Sequence, residues 1–382
     1  MNFIKRLILL FLFPLFLISC DKKPDLEYLD ACVHPDALKE IKYYVKHKIS
    51  NAGGLSMAAS ENTNVKIIKE LLKSKNISDS EKLDALWDSL DNSNPEVFKV
   101  LLKVTDGANS SLTKSGKTIL MEACTKGRAD IVNVLIKNGA DVTARDKRGN
   151  CAFGYALDSK NVNQELISAL RKANAYRQTE LKMMLIPGKN FEMLSTEVTQ
   201  EIYTALKLNP SEYLGDNLPV DSVSWYDAID FCNTLSQINK LTPVYEINGK
   251  KVTKNDSANG FRLPTEAEWQ YAARGGANYK YAGSNNINEV AWHENNSNDS
   301  THDVAQKKPN GYGLYDMNGN VYEWCWDVVT SGYSHRICGG CYYSHTWNCE
   351  VSSTDYGADD GKNYIAGQTG SSLGFRIVRN IK

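Results

Sequence analysis

Two segments set 33 positions apart constrain this chain most. They read GKTILMEA from Gly116 to Ala123 and GNCAFGYA from Gly149 to Ala156. A period of that size marks stacked repeats, in which no single unit can bury its apolar face alone. The first copy runs on through GRADIVNVLIKNGAD, Gly127 to Asp141. Val132, Leu135 and Ile136 fall on one helical face, and Gly139 supplies a stop. Weaker copies of this second helix are VKIIKELL (Val65–Leu72) and EVFKVLL (Glu96–Leu102). LSMAAS (Leu55–Ser60) and LDALWDSL (Leu83–Leu90) fit the first helix, Asp36 to Val45 a degenerate cap, and Gln164 to Lys172 the last helix. Cys124 and Cys151 sit where small core residues are needed.

The near-consensus copy and its period resemble ankyrin repeats, against the plainer alternative of an unrelated helical bundle. The resemblance implies a protein partner bound by the array over residues 27–173. A linker with a first strand follows over 174–188, where Pro187-Gly188 marks a turn.

The chain opens MNFIKRLILLFLFPLFLISC. Lys5 and Arg6 precede an apolar run of signal-peptide length, too short for a comfortable membrane span. Leu17-Ile18-Ser19-Cys20 resembles the lipobox of bacterial lipoproteins. That implies a signal peptide over 1–19, a lipid on Cys20, a short tether over 20–26, and anchoring in the bacterial cell envelope on the periplasmic side or the cell surface. An ordinary signal peptide with a chance cysteine, or an uncleaved anchor, is the alternative. A formal net charge of -1 argues against electrostatic attachment to nucleic acid. No GxxxxGK[ST], HExxH or GxSxG motif occurs.

The C-terminal half gathers around PNGYGLYDMNGNVYEWCWD, Pro309 to Asp327. It sets a Gly-rich turn and closely spaced oxygen donors (Asp316, Asn318, Asn320, Glu323) among aromatics. Such a turn can gather around a hard cation. Around it, Trp225 to Leu235 has helical apolar spacing, and Thr265 with Glu268 reads as a capping start whose helix buries Trp269, Ala272 and Ala273. Few other runs are periodic, which suits short strands and much ordered loop.

Five ordered blocks here resemble the sulfatase-modifying factor family, whose founding activity is formylglycine generation. They are Phe191 to Tyr203 (with Glu197-Val-Thr199), Pro219 to Cys232, GFRLPTEAEWQYAARGG from Gly260 to Gly276, the stretch above, and Gly339-Gly340 with LGFRIV from Leu373 to Val378. The resemblance implies a C-type-lectin-like α+β domain over 189–382, with little regular secondary structure, following the α-helical array. It also implies a structural calcium ion held by the side chains of Asp316 and Glu323 and the carbonyls of Gly319 and Val321. The family has Asn where this chain has Asp316.

The family's active members use two cysteines to bind copper(I), whose chemistry needs soft thiolates. Counted from Gly339-Gly340, those positions fall on Ser344 and Cys349. A serine hydroxyl cannot replace a thiolate, so the copper site is incomplete. Cys338 and Cys341 stand just upstream in CxxC spacing. A disulfide among Cys325, Cys338, Cys341 and Cys349, unpaired thiols, and a relocated copper or redox site all remain open. Cys232 reads as a core thiol. The mouth of a peptide or glycan groove is expected near Tyr342, Tyr343, Ser344, His345, Trp347 and Arg376. Two functions follow: non-catalytic recognition, or a copper-dependent oxidase of protein cysteines using Cys349 with Cys341 or Cys338.

Overall fold

The computed structural model describes residues 26–48, 52–173, 180–328, 334–353 and 366–381. Cys20 and most of its tether lie outside these residues, as does the expected linker over 174–179. Two compact units divide between Asp141 and Val142. No helix among the described residues is long and apolar enough to cross a membrane.

The first unit is a run of short helices in pairs. They are α1 (Leu26–Val33) and α2 (Leu38–Lys46), α3 (Ala52–Glu61) and α4 (Val65–Leu71), α5 (Asp79–Asp88) and α6 (Pro95–Leu102), then α7 (Ile119–Thr125) and α8 (Ala129–Lys137). Local chemistry fixes the starts. Asn64 and Asn94 cap α4 and α6, and Pro95 takes the first turn where its missing N–H costs nothing. Ser78 and Glu81 form a reciprocal capping box at α5. Each second helix buries one stripe, such as Ile67, Ile68 and Leu71, or Val97, Phe98 and Leu101.

Helices this short are marginal alone, so the joints between repeats matter. A ladder of amides makes them. Buried Asn62 donates from Nδ2 to the Cys32 and His34 carbonyls at 2.8 and 3.1 Å. Buried Asn92 repeats this 30 residues on, donating to the Ala59 and Asn62 carbonyls at 2.8 and 3.0 Å. In the next repeat Arg128 takes the role, its Nη1 reaching the Leu90 and Asn92 carbonyls at 2.8 Å each.

The second unit opens with the segment that completes the array in sequence. Its helices are α9 (Ala152–Asp158) and α10 (Gln164–Lys172). Asp146 organises the corner before α9: it accepts from the backbone N–H of Arg148 and Asn150, the Asn150 amide and the Tyr155 hydroxyl. The corner docks on residues that follow. Arg148 donates to the Asn209 and Ser211 carbonyls, Asn209 N–H donates to Asn150 Oδ1 at 2.7 Å, and Arg145 pairs with Asp216. Residues 142–173, read as array from the sequence, therefore pack as part of the C-terminal unit.

Three more helices follow: α11 (Gln200–Thr204), α12 (Trp225–Ile238) and α13 (Glu266–Arg274). The expected capping pair Thr265 and Glu268 starts α13, and Gly275 ends it in the left-handed conformation. Strands β1 (Met183–Leu185), β2 (Phe191–Leu194), β3 (Tyr245–Asn248), β4 (Lys251–Lys254), β5 (Phe261–Arg262), β6 (Tyr322–Val328), β7 (His335–Cys338), β8 (Leu373–Gly374) and β9 (Val378–Asn380) form three sheets. One has the order β1-β2-β9-β5, one is the β3-β4 hairpin, and the third is β7-β6-β8. Strand β6 runs antiparallel to β7 and parallel to β8. Trp269, Ala272 and Ala273 of α13 pack with Phe191, Met193, Met317, Cys325, Cys338 and Val378 in the main core. This is the α-plus-β layout expected, with long ordered loops between short strands.

Candidate functional site

Strand β6 carries the site because its alternation sends successive side chains opposite ways. Tyr322 and Trp324 go one way, Glu323 and Cys325 the other. The turn feeding it needs three left-handed residues: Asp316, Gly319 and Asn320 have φ of 53°, 74° and 59°. At Gly319 any Cβ would lie 1.9 Å from the Trp292 carbonyl oxygen, so only glycine fits. The Asn side chains here brace loops. Asn318 accepts from Ala282 N–H and donates to the Cys349 carbonyl. Asn320 accepts from His302 N–H and donates to Glu197 and the His302 carbonyl.

Beneath the turn lies a buried charge cluster. Glu323 is gripped by Arg376 through Nε–Oε2 and Nη2–Oε1 contacts of 2.6 Å each, and Trp269 Nε1 adds a bond of 2.7 Å. Arg376 also donates to the Tyr315 carbonyl. Asp316 accepts from Ala305 N–H through Oδ2, while its buried Oδ1 has no protein partner. Glu197, a residue the sequence reading gave no role, completes the cluster by accepting from Asn320 and Val321 N–H. Burial and the neighbouring Asp316 and Glu323 charges push its carboxyl well above the usual range. Burial likewise lifts Asp316 to about 6. Three carboxylates thus face one guanidinium.

Two expectations change here. Arg376 is fully buried and lines no groove. Glu323 is first of all the partner of Arg376, which sequence spacing could not reveal across 53 positions. Among the described residues no three His, Cys, Asp or Glu side chains form a ready ligand cage. The orphan oxygen of Asp316 and the excess of carboxylates still fit a hard cation, which carbonyls would help to hold.

Above the turn the chain runs from β7 through Gly339-Gly340. Cys338 and Cys341 part company despite their CxxC spacing. Cys338 enters the core beside Cys325, with the two Sγ atoms 3.6 Å apart. Cys341 turns to Ser344, with Sγ 3.3 Å from Oγ. Ser344 is buried, takes a bond from Cys341 N–H at 3.0 Å, and donates to the Tyr322 hydroxyl at 3.0 Å. Burial pushes the Cys341 thiol up to about 11. Cys349 lies in an apolar cluster with Tyr281, Ile287, Val290 and Ala291, its sulfur over Gly340, where a Cβ would come within 2.6 Å. The eight described cysteines form no disulfide. Cys232 is buried, as a core thiol should be.

The expected mouth divides. Tyr342 is buried and bonds Ser371. Tyr343 and Trp347 are exposed and His345 is half-buried, with the His345 and Trp347 ring centroids 4.3 Å apart. Trp347 is 54% exposed, and His345 pairs with Glu294.

Residues 153–381, more than half of the chain, match the sulfatase-modifying factor enzyme 1-like domain. The chain belongs to that family. Residues 55–146 match ankyrin repeats in three copies. The chain is 38% identical over 226 residues to a protein of Paenibacillus barcinonensis named chaperone protein LppX, covering 48% of this chain and 78% of that protein. It is 39% identical over 172 residues to the formylglycine-generating enzyme of Streptomyces coelicolor, covering 36% of this chain and 52% of the enzyme. The chain therefore spans about half of that enzyme's length. Among solved structures, Treponema denticola variable protein 1 superposes with a TM-score of 0.45 at 31% identity, over 53% of this chain and 93% of that one.

Proposed function

We propose that this is a lipid-anchored envelope protein with two recognition modules. The ankyrin repeats bind a protein. The sulfatase-modifying factor domain binds a peptide or glycan and carries out no copper chemistry. One observation carries the reading: the first copper-ligand position is the hydroxyl of Ser344, buried and already bonded to Tyr322 and Cys341. Copper(I) selects soft sulfur ligands over such an oxygen. The ligand surface is exposed Tyr343 and Trp347 with half-buried His345, beside Ser344 in the chain. A relative named as a chaperone supports a protein-handling role. The test is copper(I) titration of the reduced protein, with a formylglycine assay on a cysteine peptide. Absence of both tight binding and turnover is expected; stoichiometric binding with turnover overturns the reading.

A second reading is an oxidase working through Cys341 and Cys349. It draws support from the Cys341 sulfur standing 3.3 Å from the Ser344 oxygen. In that case Cys341→Ser abolishes copper binding, whereas in the first reading it changes nothing.

Calcium, in this proposal, braces the turn. Asp316 with the Gly319 and Val321 carbonyls would hold it, and Glu323 would share it with Arg376. The ion supplies positive charge to a cluster short of it. A rise in melting temperature with calcium that Asp316→Ala removes is the expected result; identical melting in chelator and in calcium refutes it. The anchor is tested by Cys20→Ala, which should release the protein to the soluble fraction.

A further inference from the structure

We infer that Cys325 and Cys338 form a disulfide when the chain folds under oxidising conditions. The Sγ atoms are 3.6 Å apart on neighbouring antiparallel strands. Side-chain rotation of the two cysteines is what would close that gap toward the bond length of about 2 Å. Both residues belong to one core cluster and are buried, and apart from each other the Cys325 sulfur has only a long contact of 3.9 Å to the Glu323 carbonyl. The register shift after Trp324 lets Cys325 lean toward Cys338, which itself pairs with Glu323.

The neighbouring alternatives are weaker. Cys341 follows Cys338 at CxxC spacing, but its sulfur faces Ser344. Cys349 packs in a separate apolar cluster with Tyr281 and Val290.

The reaction balances against a small disulfide such as oxidised glutathione. One cysteine loses its proton and its thiolate attacks a glutathione sulfur. The glutathione sulfur–sulfur bond breaks, and one glutathione thiolate leaves and takes up the proton. The second cysteine, deprotonated in turn, attacks the mixed disulfide and releases the other glutathione. The two cysteines are oxidised and one glutathione disulfide is reduced to two thiols. Burial pushes the Cys325 thiol far above its ordinary range, so this exchange belongs to folding, before the core closes.

The bond ties together the two strands beneath the candidate site. Strand β6 supplies Tyr322 to Ser344 and Glu323 to Arg376. Strand β7 runs straight into Gly339-Gly340-Cys341. An envelope location would supply oxidant, but the chemistry is testable without it.

The full chain is denatured and reduced, refolded in a glutathione redox buffer, alkylated while denatured, and digested. The expected product is a cross-linked peptide pair joining Cys325 to Cys338, lighter by two hydrogens than the separate thiols. Cys325→Ser should leave Cys338 alkylated, and Cys338→Ser should leave Cys325 alkylated. In the wild-type chain the oxidised form should melt roughly 5–10 °C above the reduced form, from closure of a short loop. A link from Cys338 to Cys341 or Cys349, or alkylation of both Cys325 and Cys338 after oxidative refolding, overturns the inference. Mapping the wild-type protein decides the matter even if a variant misfolds. It is independent of localisation and of copper binding.

Discussion

Replacing Asn92 by alanine isolates the joint between repeats. The side chain is 1% exposed and makes three bonds. Nδ2 donates to the Ala59 and Asn62 carbonyls, and Oδ1 accepts from Asn94 N–H at 2.8 Å. At roughly 1 kcal/mol net for each, the loss is about 3 kcal/mol, and more if no water reaches the two stranded carbonyls. Asn94 is the internal control. It caps α6 and donates to the Thr63 carbonyl, but at an exposed position. Its removal should cost about 1 kcal/mol, as for an ordinary helix cap. Urea unfolding of both variants, followed by far-ultraviolet circular dichroism, gives the comparison, with the midpoint shift converted through a common slope. Because repeats are coupled to nearest neighbours, Asn92→Ala should also split the helical transition or broaden it. If Asn94→Ala proves the more damaging, or Asn92→Ala costs under about 0.5 kcal/mol, the amide ladder is not what joins these repeats.

Other outcomes follow from single contacts. Arg376→Met leaves Glu323 buried and unpaired, and should destabilise the C-terminal unit by about 3–5 kcal/mol; adding Glu323→Gln should restore part of that in chemical denaturation. Burial raises Asp221 to about 6. Its folded form therefore keeps a proton that the unfolded chain releases, so its contribution is complete below about pH 4 and is lost as pH rises through about 6. Asp221→Asn should remove that slope and be the more stable at neutral pH, by up to about 3 kcal/mol, when melting is followed across pH. Arg148→Ala removes donors to the Asn209 and Ser211 carbonyls, should cost roughly 2 kcal/mol, and should expose the segment near residue 148 to limited proteolysis.

Much of the architecture was legible in residue pattern. The helix expected from Trp225 onward and the Thr265–Glu268 start are present because both rest on local rules, periodicity and capping. The paired short helices are legible for the same reason. What escaped were partnerships made across the chain. Arg376 reads as a groove residue beside aromatics until Glu323 is seen to hold it. Glu197 reads as one acid in a strand-side block, and only folding brings it to its partner Asn320, 123 positions away. Cys338 and Cys341 look like a pair by spacing alone. Strand β7 ends between them, so one points into the core and the other to Ser344. Asn62 and Asn92 carried a usable signal, since Asn-x-Asn recurs at 62–64 and 92–94, but polar residues between helices read by default as loop.

A stacked array normally needs an end unit with a soluble outer face. Here residues 142–173 spend their Asp146–Arg148–Asn150 corner on the backbone of Asn209 and Ser211. The helices of this segment, α9 and α10, are thereby tied to the residues that follow them inside the C-terminal unit. A substitution at Asn209 would therefore be felt 59 positions upstream, at the corner that starts α9.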